Sequence, residues 1–118
     1  MISKKREIVV DTETTGLSFK DGDRVIEIGC VELIDNIASG RNLQIYLNPE
    51  TKSVSEDAIK VHNLDNNFLK QQPKFRDKAE EFLNFIKNDT LVIHNAQFDV
   101  GFINNELEIC DRPKIKNK

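Results

Sequence analysis

Only two cysteines occur among the 118 residues, Cys30 and Cys110, far apart in the chain. Their scarcity excludes a disulfide framework and a multi-cysteine metal site. It points to a reduced, cytoplasmic setting in which both thiols act as small buried hydrophobes. A long apolar run is missing too. No stretch approaches the roughly 20 residues that a membrane-spanning helix needs. The start, Met1-Ile2-Ser3-Lys4-Lys5-Arg6, lacks the apolar segment that follows the charges of a secretory leader. Positive charge is short as well, since 17 Lys and Arg stand against 20 Asp and Glu, a net charge of −3. That excludes a broadly basic nucleic-acid surface, which works by neutralising many phosphates at once, so any contact with nucleic acid has to be local. The basic groups that do gather, Lys4-Lys5-Arg6 and Arg112, Lys114, Lys116 and Lys118, read as solvated ends. Repeats, linkers and low-complexity tracts are absent. With 38% hydrophobic residues the chain can build one compact domain with a core, though not two.

The apolar residues that are present sort the chain into elements. Glu7 to Glu13 is a β-branched run suited to a strand buried on both faces, with Asp11 and Glu13 at its C-terminal end. After Gly16 and a polar loop, Val25 to Ile34 alternates so that Ile26, Ile28, Cys30 and Ile34 share one face and Val25, Val31 and Leu33 the other. Asp35 to Gly40 reads as a hairpin connection into a third strand, Asn42 to Leu47, which Pro49 ends. Three antiparallel strands are therefore expected to open the chain. Ser55 is placed to cap a short helix that starts with Glu56 and Asp57. A second helical turn is expected over Asn66 to Lys70. Beyond Pro73, Phe75, Ala79, Phe82, Leu83 and Ile86 recur at the spacing of an amphipathic helix that packs on the sheet. Leu91-Val92-Ile93 predicts a short buried strand, and Asn95 is expected to cap a last helix carrying Phe98, Phe102, Ile103 and Leu107.

Two constellations carry chemistry. Asp11 and Glu13 lie two apart on a strand, so their carboxylates leave the same face and can share one hard cation. Alone, such a pair is more commonly just an exposed strand end. Behind it, Thr14-Thr15-Gly16-Leu17 forms a tight turn with backbone N–H groups and an apolar side chain to offer, as the end of a nucleotide strand requires. In His94-Asn95-Ala96-Gln97-Phe98-Asp99 a strand ends, a helix begins, and Asp99 falls in its first turn, where the helix dipole stabilises a carboxylate. Singly this is an ordinary first-turn acid. If adjacent strands bring their C-terminal ends together, the three acids converge on one spot.

Asp11-Thr12-Glu13-Thr14-Thr15-Gly16-Leu17 and His94-Asn95-Ala96-Gln97-Phe98-Asp99 resemble the first two motifs of the DEDD exonuclease superfamily. Val25-Ile26-Glu27-Ile28-Gly29, the hairpin, Val61-His62-Asn63-Leu64 and Phe68-Leu69-Lys70 are similar, in order, to its bacterial DNA polymerase III epsilon (proofreading) group. The resemblance covers nearly the whole chain. It implies an α/β, ribonuclease H-like fold, a mixed sheet flanked by helices, with residues 1–118 as the N-terminal part of a single exonuclease domain left incomplete at the C-terminus. The implied activity is 3′→5′ removal of nucleotides from single-stranded DNA ends. Asp11 and Glu13 are then direct ligands of two divalent cations, with Asp99 assisting them, and Thr14, Leu17, His62, Asn95 and Phe98 surround the terminal nucleotide. An all-oxygen donor set suits Mg²⁺ or Mn²⁺. Two such ions about 3.5 to 4 Å apart activate a water and stabilise the leaving 3′ oxygen.

The same resemblance implies a polymerase III catalytic (alpha) subunit as partner. It places the general base and the fourth carboxylate in a third motif beyond Lys118, which neither His62 nor His94 matches. Residues 1–118 alone are therefore expected to cleave slowly, because a general base commonly contributes about 10²- to 10⁴-fold. A fifth strand would also follow Lys118. Without it, Leu91-Val92-Ile93 is expected to be a bare edge, the Phe98, Phe102 and Ile103 face to lack partners, and the chain to self-associate there.

Two other readings stay open on the residues alone. Asp11-Thr12-Glu13-Thr14-Thr15 is near the Asp-X-Asp-X-Thr of haloacid dehalogenase-like phosphatases, with Asp11 as nucleophile, although the second acid is Glu and no Lys-led motif follows. The other is a non-catalytic module that stabilises a polymerase. RNA trimming against DNA proofreading is likewise open, since the 2′-hydroxyl contacts that separate them have no signature here.

Overall fold

The structure is a computed structural model that describes residues 4–50 and 52–117. The expectations for Met1 to Ser3 and for Lys118 lie outside the described residues. Strand β1 (Arg6–Thr14) is followed by a single 3₁₀ turn (Phe19–Asp21), then β2 (Val25–Ile34) and β3 (Ile37–Tyr46). Helices α1 (Glu56–His62), α2 (Asn66–Lys70) and α3 (Phe75–Ile86) come next, then β4 (Thr90–Val92) and α4 (Ala96–Ile109). The sheet order is β3-β2-β1-β4. The first three strands are antiparallel, and β4 runs parallel to β1, pairing Glu7 with Thr90 and Val9 with Val92. This is the expected mixed sheet, and it sets the C-terminal ends of β1 and β4 side by side. Among the described residues, no helix is long and apolar enough to cross a membrane.

The core forms where periodicity and topology agree. Phe75, Ala79, Phe82 and Ile86 of α3 and Phe102, Ile103 and Leu107 of α4 pack with Ile8, Val10, Ile28, Cys30 and Ile45 of the sheet in one cluster. Each Phe or Ile so buried contributes on the order of 1.5–3 kcal/mol of transfer free energy. Burial pushes the Cys30 thiol up to about 12, as befits a small core hydrophobe. Cys110 is only half-buried. The short helices are held by side-chain caps: Ser55 Oγ accepts from Ala58 N–H at 3.2 Å, and Asp65 Oδ1 from Phe68 N–H at 2.8 Å.

Several expectations are corrected. β1 is not buried on both faces. Ile8, Val10 and Thr12 point into the core, whereas Val9 is half-buried and Asp11 exposed, because α3 and α4 cover one side only. The hairpin is a two-residue turn in which Asp35 and Asn36 take left-handed φ of 50° and 72°, so β3 begins at Ile37 and not at Asn42. In β2 the alternation reverses at a bulge opposite Glu13 and Thr14. Val25 therefore joins Ile28 in the main core, while Ile26 turns to Val54 and Leu69 in a second cluster that α1 and α2 cap. Position 34 is half-buried. In place of a hydrophobe at the core position before it, β2 buries Glu32, which binds Arg6 Nε at 2.5 Å.

Arg6 is thus no solvated end. It also donates to Asp89 Oδ2 and to the Phe85 carbonyl, tying the start of β1 to the α3–β4 connection. Of β4 only Leu91 is buried, and Val92 is 41% exposed at the sheet edge. Phe102 and Ile103, expected to lack partners, are fully buried. Part of the reason is that Ile115 folds back against the core, its N–H donating to Asn104 Oδ1 at 3.0 Å.

Candidate active site

Strand parity sends Asp11 and Glu13 to the open side of β1, opposite Gly29 and Glu27 of β2 respectively. Thr12, between them, points the other way. Its hydroxyl donates to Asp99 Oδ1 within the buried layer where α4 meets the sheet. Asp99 reaches this place because β4 lies beside β1 and delivers the first turn of α4 to the end of the neighbouring strand.

The acids feel one another's charge. Burial pushes the Glu13 carboxyl above its usual range, and the charges of Asp11, Glu27 and Asp99 push it further. Burial likewise raises Asp99, opposed by the Thr12 hydrogen bond and reinforced by Asp11. Among the described residues, however, no three His, Cys, Asp or Glu side chains are gathered closely enough to hold an ion as they stand. The donors fit a hard divalent cation chemically. They are carboxylate oxygens whose mutual repulsion and burial leave negative charge uncompensated, the deficit that such a cation makes good.

Both shifts make the folded chain bind protons more tightly than the unfolded one. Their contribution to stability is therefore fully present on the acid side and is lost as pH rises from the ordinary carboxylate value through the raised one. Asp99→Asn, which still accepts from Thr12, removes that loss. In EDTA at pH 7 its melting temperature is expected to exceed that of the unsubstituted chain, with the gap closing toward pH 4. A variant less stable at both pH values would show that the Asp99 charge stabilises the fold.

Beside Glu13 opens a cavity of about 230 Å³. It is lined by Thr14 and Leu17 of the turn, by Val61 and His62 of α1 and by Phe98 of α4. Leu17 is 87% and Val61 82% exposed, so two apolar side chains stand open at this cavity. His62 Nδ1 accepts from Leu64 N–H at 3.0 Å, which leaves the neutral ring's proton on Nε2. That atom is buried without a partner among the described residues. Burial lowers the ring's pKa, against the opposing pull of Glu27 and the Thr14 backbone. Four of the five residues expected around a nucleotide thus line one cavity with Glu13. Asn95 does not line it. At the N-terminus of α4, with φ −124° and ψ 70°, Asn95 also makes no side-chain cap within the described residues, contrary to expectation.

The turn that shapes the cavity is held from behind. Thr15 N–H donates to the Arg24 carbonyl at 2.9 Å, and Asp23 accepts from Thr15 Oγ1 at 2.9 Å and from Ser18 N–H at 3.2 Å. Of the turn's backbone donors expected to face a ligand, Thr15 N–H is therefore used to hold the turn to the start of β2. A Cβ at Gly16 would fall 2.5 Å from Asp23 Oδ2, so glycine alone lets the two segments meet. Thr12, Glu27 and Val61 stand in the quoted motifs but were given no site role from the sequence. Parity could have flagged the first two, because the middle residue of Asp-X-Glu must face the helices and Glu27 must pair across from the acids.

The Exonuclease (RNase_T) family model matches residues 8–116. The chain is 50% identical over 119 residues to a DNA polymerase III subunit epsilon of Buchnera aphidicola subsp. Acyrthosiphon pisum, covering 98% of this chain and 49% of that one. It is 44% identical over 115 residues to the protein of the same name from Rickettsia prowazekii, covering 98% and 50%. The chain spans about half the length of the curated relatives it matches. Among solved structures, the nuclease domain of 3′hExo, described as a DEDDh family member bound to rAMP, superposes with a TM-score of 0.80 at 15% identity, over 96% of this chain and 63% of that one. E. coli exonuclease I in complex with a dT13 oligonucleotide gives 0.81 at 13% identity, over 93% and 25%. At those identities the likeness establishes the fold, a ribonuclease H-like mixed sheet with helices.

Proposed function

Since this chain belongs to the Exonuclease (RNase_T) family, we propose that it forms the metal-binding part of a single 3′→5′ exonuclease domain that removes nucleotides from single-stranded DNA ends. One observation carries the reading: Glu13 belongs both to the acid group with Asp11 and Asp99 and to the wall of the cavity. A phosphodiester next to a nucleotide held there would lie beside the acids. Asp11 and Glu13 would hold two Mg²⁺ or Mn²⁺ ions, with Asp99 assisting. When bound, such ions supply an activated water and charge stabilisation for the leaving oxygen. The chain's own residues orient the substrate. Leu17, Val61 and Phe98 give the base and sugar an apolar enclosure, the unpartnered His62 Nε2–H offers a donor, and Thr14 stands beside it. Asn95, outside the cavity, would act on the strand further from its end.

The phosphatase reading draws no support from the family. The names of the relatives support a place within a DNA polymerase III assembly, and the proposal takes the catalytic (alpha) subunit of that assembly as partner. Thymidine 5′-monophosphate, as an exonuclease product, is the direct probe. It is expected to bind in Mn²⁺ and to lose most of that affinity in EDTA or on Glu13→Gln. Binding that ignores both would sink the proposal. Self-association through the β4 edge belongs to the same proposal and rests on the exposure of Val92 there. Light scattering after size exclusion should find a dimer that grows with concentration, and a monomer throughout would remove it.

A further inference from the structure

The Thr14–Leu17 turn and α4 both line the cavity, the turn through Thr14, Gly16 and Leu17 and the helix through Phe98, and they are joined at a distance from it. Phe19, in the loop that follows the turn, lies so close to α4 that a Cβ at Gly101 would fall 2.9 Å from its Cε1. Its ring meets Phe102 edge-on, with 5.5 Å between centroids. Farther along α4, seven residues and so about two turns beyond Asp99, Glu106 is 1% exposed. Arg24 Nε and Nη2 donate to its two oxygens at 2.8 and 2.7 Å, and Val25 N–H donates to the same carboxylate at 3.0 Å. Arg24 in turn is bonded to the turn through its backbone, accepting from Thr15 N–H at 2.9 Å and donating to Thr15 Oγ1 at 3.0 Å.

A buried ion pair is a poor source of stability, because desolvating both charges commonly cancels their attraction, and neutral replacements of similar volume often do as well. What this pair supplies is direction. Three bonds converging on one carboxylate fix both the distance and the angle between α4 and the start of β2. The helix is thus fastened to the sheet beside the acids by Thr12 and Asp99, and again two turns away by Glu106.

We propose that Glu106 and Arg24 are positioning residues of the active site. Their ion pair holds α4 against the Thr14–Leu17 turn at the spacing that sets Asp99 on Thr12, between Asp11 and Glu13, and Phe98 in the cavity that Leu17 also lines. This rests on the reading of the three acids as a metal-holding group.

The test measures Mn²⁺ affinity by calorimetry, thymidine monophosphate affinity in Mn²⁺, and the melting temperature in EDTA. Glu106→Gln keeps an acceptor for Val25 N–H but loses the charge. The double variant Arg24→Met with Glu106→Gln removes both charges and keeps that acceptor. Both are expected to weaken Mn²⁺ and nucleotide binding by about 10-fold, the scale seen when the supports of metal ligands are removed, with the double variant melting near the unsubstituted chain. A folded double variant with unchanged Mn²⁺ affinity would overturn the proposal and leave the pair a structural contact. If the double variant fails to fold, Arg24→Lys decides, since it keeps the charge and loses the second prong; unchanged Mn²⁺ affinity there overturns the proposal equally. Absence of Mn²⁺ binding by the unsubstituted chain is a different result, one that defeats the metal reading itself.

Discussion

Asp11→Ala is expected to cut Mn²⁺ affinity by more than the roughly 10- to 100-fold that the loss of a ligand's outer partner costs, while leaving the metal-free chain at least as stable as before. The two signs come from one arrangement. Asp11 is exposed on the open face of β1, so its side chain holds nothing in the core. Its charge raises the carboxyls of both Glu13 and Asp99. Without a cation it is a source of repulsion, and with one it is a ligand. Calorimetry on the variant, paired with thermal unfolding in EDTA, reads both effects. An unchanged Mn²⁺ titration would rule out this site, and a large loss of stability in EDTA would show that Asp11 also holds the fold together.

Phe82→Ala is expected to cost about 3–5 kcal/mol, the range for emptying a buried aromatic site. Phe82 is fully buried at the centre of the face that α3 turns to the sheet. A domain of this size holds only about 5–15 kcal/mol in all, so the variant should melt roughly 10 to 25 °C lower or fail to fold. Phe85→Ala, three residues on, is the comparison. Phe85 is half-buried and lies under the guanidinium groups of Arg6 and Arg41, each 5.6 Å from its ring centroid. Its loss should cost clearly less. Equal losses in urea denaturation would mean that the faces of α3 have been assigned wrongly.

The helices and the site were legible to different depths. α3 could be read residue by residue, because helical spacing and burial coincide at Phe75, Ala79, Phe82 and Ile86. Both acid motifs could be placed at strand ends from local pattern alone, and the parallel pairing of β1 with β4 brings those ends together as the pattern required. Where a tertiary detail overrides the local pattern, the sequence was silent. The bulge that sends Ile26 away from Ile28 depends on how Thr14 meets Val25 across two strands. Arg6 read as a solvated end because nothing nearby in sequence announces Glu32 or Asp89. Asn95 had the side chain of a cap but not the backbone angles of one.

The alternation of β1 has a consequence for which changes the chain can survive. Even positions Ile8 and Val10 serve the core, the odd positions Asp11 and Glu13 carry the two carboxylates on the open face, and Thr12 alone bridges the two sets, buried on the core side and bonded to Asp99. Thr12 apart, such a strand tolerates substitution at one set without touching the other. Its length is not free. Deleting Val9 would shift one side of the strand against the other: either both carboxylates turn to where α3 and α4 pack, or they stay and Ile8 turns outward. Over this segment, insertions and deletions should therefore be barred more strictly than any single replacement, and the chain's history should be written in substitutions.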